Sequence, residues 1–186
     1  MSKKNALCIL GFFLLLAACS SGETISFKGI PFDKPGVKDA LMSICQESNK
    51  EREFSRNDCS FKEGFNIVWL SYGVLPSALA VITLDKGGSL IEVEINGSKA
   101  EMLAQVETLK AKYGKPEKTI EQVTNGFGTK FDKEIFTWTD SSGSRITVES
   151  IYGKVDEGRI VIDSASSVEA KKTAEKSLIK AGKENL

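Results

Sequence analysis

The chain has no histidine among its 186 residues. That absence removes His-based catalytic triads, imidazole proton shuttles and His-ligated metals together. An excess of one charge is also missing. The 25 Lys and Arg residues meet 25 Asp and Glu residues, a formal net charge of +0 at pH 7. A nucleic-acid binder normally shows a basic excess or stripe, so no nucleic-acid partner is expected. The cysteines form no C-x-x-C pair, and without histidines two thiols make a poor zinc site. No EF-hand loop, Walker A or G-x-S-x-G pattern occurs. What is present, 41% hydrophobic residues in a chain of this length, suffices for one compact body.

The first nineteen residues carry the sharpest signal. Lys3 and Lys4 form a short positive start, and Ala6 to Ala18 is uncharged and almost wholly apolar. The run is shorter than the ~20 residues that span a bilayer as a helix, so it reads as a signal-peptide core and not a permanent anchor. It closes on Leu16-Ala17-Ala18-Cys19, which resembles the bacterial lipobox. The resemblance implies that Cys19 is the acylated mature N-terminus and that the protein holds a membrane through this lipid. The alternative is an ordinary secretory signal with a chance cysteine. Ser20-Ser21 stands where inner-membrane lipoproteins of diderm bacteria tend to carry Asp, which implies the outer membrane, facing the periplasm. Cleavage before Cys19 removes two of the 25 basic residues and none of the acidic ones, leaving a net charge of −2.

Cys8 leaves with the signal and Cys19 is taken by lipid, so Cys45 and Cys59 remain. An even pair in an oxidising compartment is expected to form a disulfide. Its loop, on the order of 15 residues, corresponds to about 3 kcal/mol in the chain-entropy picture.

The remaining pattern predicts an α+β fold. Residues 1–18 read as signal, 19–26 as a lipidated tether, 27–165 as the periplasmic domain and 166–186 as a charged C-terminal helix. An edge strand is expected over 25–32, with Pro31 barring a central position, and a helix over 37–46. The stretch 46–62 reads as a charged loop, and 65–72, 78–84 and 90–95 as strands, with Ile91 to Ile95 alternating strictly so that one face is buried and the glutamates face water. Asp85 to Ser89 reads as a hairpin turn. Ser98 and Glu101 form a capping box for a helix running to about Tyr113, where Gly114 and Pro116 stop it. Strands over 118–123, 134–139, 145–151 and 159–163 follow, the first two around a glycine-rich loop at 125–128. Thr83 to Ser89 and Trp138 to Ser144 share Asp, Gly and Ser at an offset of 55, and Val93-Glu94 matches Val148-Glu149 at the same offset. Two helix-plus-antiparallel-hairpin units are therefore expected, halves about 27–97 and 98–165, with their helices on one face of an antiparallel sheet. Hairpin turns also favour Asp and Gly for local reasons alone.

Lipobox, tether and helix-plus-hairpin units together, with Lys112 to Pro116 as the turn after a helix, resemble the β-barrel assembly lipoproteins of the SmpA/OmlA type and the tandem-repeat inhibitor-like lipoproteins. That resemblance implies an α+β fold; the paired cysteines and long C-terminal helix depart from the smallest versions. Fold alone does not name a partner.

Motifs that carry chemistry are few. Ser177-Leu178-Ile179-Lys180 matches S-x-x-K without companion motifs. Gly126-Phe127-Gly128 lacks a βαβ setting and reads as a loop. Asp132 with Glu134, and Asp156 with Glu157, have the residue types of a glycosidase pair but read as solvated acids beside turns. No catalytic residue, metal or cofactor is expected, and the chain reads as no enzyme. The functional expectation is an accessory or interaction module that binds another envelope protein. Its alternative is a periplasmic inhibitor or exclusion protein, with an envelope hydrolase behind both. The candidate contacts are the hairpin tips, Lys86 and Ser89 in one and Ser141 and Arg145 in the other, because turn residues are held by the strands behind them. Trp69 and Trp138 are either core residues or aromatic anchors.

Overall fold

The computed structural model describes residues 23–50, 70–71 and 79–184. Cys19, Cys59, Trp69 and most of the expected 46–62 loop lie outside these residues, as does the side chain of Cys45. The fold is α+β. Its elements are β1 (Ser26–Phe27), β2 (Ile30–Pro31), α1 (Lys38–Lys50), β3 (Leu70–Ser71), β4 (Leu79–Leu84), β5 (Leu90–Ser98), α2 (Lys99–Tyr113), β6 (Glu117–Thr124), β7 (Lys130–Thr139), β8 (Arg145–Glu149), β9 (Glu157–Asp163) and α3 (Ala165–Glu184). Strands β3 to β9 form one antiparallel sheet in the order β3-β4-β5-β9-β8-β7-β6, and β1-β2 stand apart as a small hairpin.

Alternation along the strands builds the core. Register aligns Ile82, Val93, Ile162, Ile146 and Trp138 in one row, and Ala80, Ile95, Ile160, Val148 and Phe136 in the next. All ten are buried. Met102 and Val106 of α2 close over these rows, with Ile25, Phe27, Ile30 and Phe32 and with Val37 and Leu41 beside α1. Each fully buried large side chain contributes roughly 2 kcal/mol. Gly158 admits α2 at close range: a Cβ there would lie 2.8 Å from the Glu149 carbonyl and 3.1 Å from Met102 Cγ.

Three local expectations need correction. The stretch 25–32 is no single edge strand, because Lys28 and Gly29 take left-handed backbone (φ 48° and 80°) and fold it into β1-β2. Strict alternation through β5 also fails at its start. The register slips between Thr83 and Leu84, so Leu90 joins Val93 and Ile95 in the core while Ile91 stands half-buried beside them. The Ile91 carbonyl there accepts the Ser164 N–H. The supposed loop at 125–128 is a tight hairpin turn, and β7 starts at Lys130.

The second face of the sheet is polar. Glu92, Asp163 and Arg145 lie in register across β5, β9 and β8, and Lys171 of α3 reaches the first two. Val168 is buried, whereas α3 is exposed from Glu169 through Ala181.

Candidate functional site

Three hairpin turns share one hydrogen-bond pattern. Asp85, Asn125 and Asp140 each accept, on side-chain Oδ1, the N–H of the second and fourth residues onward, at 2.8 to 3.0 Å. The fourth residue of each turn is a glycine with left-handed φ (Gly88, Gly128 and Gly143). A short acceptor at the first position and glycine at the fourth thus write the turn locally.

Strand register assigns the turns to two ends of the molecule. Asp85 and Asp140 stand where the chain enters the body: Ile25 N–H donates to Asp140 Oδ2 at 2.8 Å, and Glu23 pairs with Lys112 near the end of α2 at 3.3 Å. Asn125 stands at the opposite end, beyond the ten residues of β7, which span roughly 33 Å. There β6 and β7 run past the end of β8 as a two-stranded arm. Its tip residue Phe127 is 96% exposed.

Beside that arm the 150–156 loop is held by its own backbone. Tyr152 N–H donates to the Glu157 carbonyl, Glu157 N–H to the Lys154 carbonyl, and Gly153 sits at φ 75°. The Arg159 guanidinium lies 4.0 Å over the Tyr152 ring and bonds Glu149. Lys133 reaches the same carboxylate at 3.1 Å. Burial pushes the Glu149 carboxyl up, but the bonds from Arg159 and Lys133 outweigh it and hold the group below its ordinary value. Between arm and loop lies a cleft of about 570 Å³ lined by Val123, Phe127, Ile151, Tyr152 and Val155, with Lys133 at its side. Tyr152 and Val155 are each 39% exposed. The cleft can seat an apolar side chain of a partner, and the ion pairs behind it keep its wall in place.

The sequence-derived candidates fall elsewhere. Lys86 and Ser141 are exposed at the entry end. Ser89 and Trp138 are buried, which removes them from any contact surface. Ser89 closes its turn, and Trp138 donates its indole N–H to the Gly114 carbonyl at 2.8 Å. Arg145 is part-buried and pairs with buried Asp163 at 3.3 Å, so it is no free surface charge. Phe127, Tyr152 and Val155 are the residues that sequence reasoning missed. The available signal was a phenylalanine between two glycines in a stretch whose spacing matches the other two turns.

Three residues of the weak catalytic motifs have local or cross-strand partners. Ser177 Oγ donates to the Thr173 carbonyl on its own helix, Glu134 pairs with Lys118, and Glu157 pairs with Lys154. Among the described residues no group of three or more His, Cys, Asp or Glu is placed to hold a metal ion, and no helix is long and apolar enough to cross a membrane. Comparison with protein-family models, curated proteins and solved structures finds no match to this chain.

Proposed function

We propose that the chain is a lipid-anchored protein of the bacterial outer membrane, facing the periplasm, that holds another envelope protein at the end of its body far from the lipid. In this reading Cys19 carries the acyl chains and Cys45 with Cys59 forms a disulfide. The observation that carries the proposal is the exposed Phe127, Tyr152 and Val155 cluster lying opposite the chain's entry at Glu23. Only three residues lie between Cys19 and Glu23, four chain steps with a reach of at most about 14 Å. The entry end would therefore sit against the membrane and the cleft would point away from it. Exposed aromatics on a fixed scaffold are the residues that anchor protein interfaces. An inhibitor that plugs a cleft in its target would use the same projecting Phe127, and only the partner's identity separates the two.

Two experiments test this. Cys19→Ala should leave an unprocessed precursor that takes up no labelled palmitate; undiminished labelling overturns the anchor. A photo-crosslinker at Phe127 in intact cells should trap one recurrent envelope protein, while the same group at Ser141 should not. Trapping at Ser141 alone would move the contact to the membrane-side turns.

A further inference from the structure

We infer that the outer edge of β6 receives an extended strand of the partner, one with basic side chains on the polar face of the sheet and an apolar side chain on the helix face. The inference deepens the proposed function and rests on its tethered geometry for the choice of occupant. β6 ends the sheet, pairing with β7 through eight consecutive residues without a register shift. Among the described residues nothing pairs with its other edge. Antiparallel ladders alternate bonded and non-bonded pairs. Asn125 N–H bonds the Thr129 carbonyl, so the bonded pairs count back from there. Lys118, Ile120, Gln122 and Thr124 therefore turn their N–H and C=O groups to the free edge. The far side of β7 agrees: Glu134, opposite Ile120, bonds away from β6 to Ser150.

Such a straight edge, without proline or bulge, is a template for strand addition. Its side chains state what it fits. Glu117 and Glu121 are exposed on the polar face, and neither makes an ion pair with a described residue. On the helix face Lys118 is already matched by Glu134, and Ile120 beside it is 59% exposed. A complementary strand thus places cations against the two glutamates and an aliphatic side chain against Ile120, because opposite charges across paired strands stabilise and like charges destabilise. A second copy fits less well. Antiparallel pairing of two β6 strands turns one molecule end for end, carrying its lipid away from the membrane that holds the other.

The test uses the full mature chain in detergent and an eight-residue synthetic peptide alternating lysine and valine. Saturating peptide should slow amide exchange at Ile120, Gln122 and Thr124 at least tenfold. The Glu117→Lys, Glu121→Lys double variant should bind it at least fivefold more weakly and should prefer a glutamate–valine peptide. Gln122→Pro removes one outward N–H and no ladder bond, so it should abolish protection while core amides such as Ile146 exchange as before. Unchanged exchange at millimolar peptide overturns the inference, as does full protection in Gln122→Pro. Protection that grows with protein concentration and no peptide overturns it in favour of a second copy. If Phe127 traps no partner while the edge protection stands, the cleft fails and the edge survives.

Discussion

The turns at Asp140–Ser144 and Asn125–Thr129 have the same backbone hydrogen bonds and opposite surroundings. At Asp140 the second carboxylate oxygen is taken by the Ile25 N–H, and Trp138 in the strand just before it is buried. At Asn125 the side chain serves only its own turn, and Phe127 beside it is bare. One local code therefore builds both ends, and tertiary use decides which becomes core and which stays open for contact.

The aromatic residues give the largest contrast. Trp138→Ala removes a side chain only 4% exposed together with its bond to Gly114, and should cost about 4 kcal/mol in urea denaturation. Phe127→Ser should shift stability by less than about 0.5 kcal/mol while abolishing partner capture. Equal costs would mean that the two ends do not differ in burial as described.

The turn acceptors give the next contrast. Asp140→Asn keeps an oxygen for the turn but turns an NH₂ toward the Ile25 N–H, and should cost about 1–2 kcal/mol. Asp85→Asn, in a turn with no such outside donor, should stay within about 0.5 kcal/mol. Both native carboxyls lie below their ordinary value. The Ser89 N–H is the largest cause at Asp85; at Asp140 burial pushes up and the bonds from Ser142, Ile25 and Ser144 outweigh it. Depressed folded values mean that this stabilisation is whole above the unfolded carboxylate range near pH 4. It is lost as pH falls through the lower folded values. The urea midpoint should therefore drop in acid, and drop less in Asp140→Asn. An unchanged acid limb in that variant would exclude Asp140 as a contributor.

How much of this was legible follows from which features are local. α2 was readable from end to end, because Ser98 and Glu101 do cap each other and Gly114 does stop the helix. The two Asp turns were readable for the same reason. The third was not, since Asn125-Gly126-Phe127-Gly128 looks like slack loop until its match to the other two is noticed. That third copy also weakens the offset of 55 as a sign of duplication, because the turn recurs wherever its code does. The slip at Leu90 and Ile91 has no local mark; it accompanies the bond between Ser164 and Ile91, 73 residues apart. The candidate site was the least legible part. A phenylalanine in a turn and a tryptophan in a strand have similar apolar value in sequence, and only the packed sheet buries Trp138 and leaves Phe127 out.

The smallest effect tests the local code itself. Asn125→Asp supplies the same oxygen to Phe127 and Thr129 N–H, now with charge, and places no new group against any outside donor. Ionised acceptors make the stronger hydrogen bonds, so the variant should match or exceed the native chain at neutral pH by less than about 0.5 kcal/mol. Because the new carboxyl would be held low by the Phe127 and Thr129 N–H groups, the counterparts of Gly87 and Ser89 at Asp85, its gain should vanish as pH falls below about 4. Urea midpoints of variant and native chain at both pH values decide it. A loss at neutral pH as large as that of Asp140→Asn would show that the far turn has a tertiary partner too, and the contrast between the two ends would then fall.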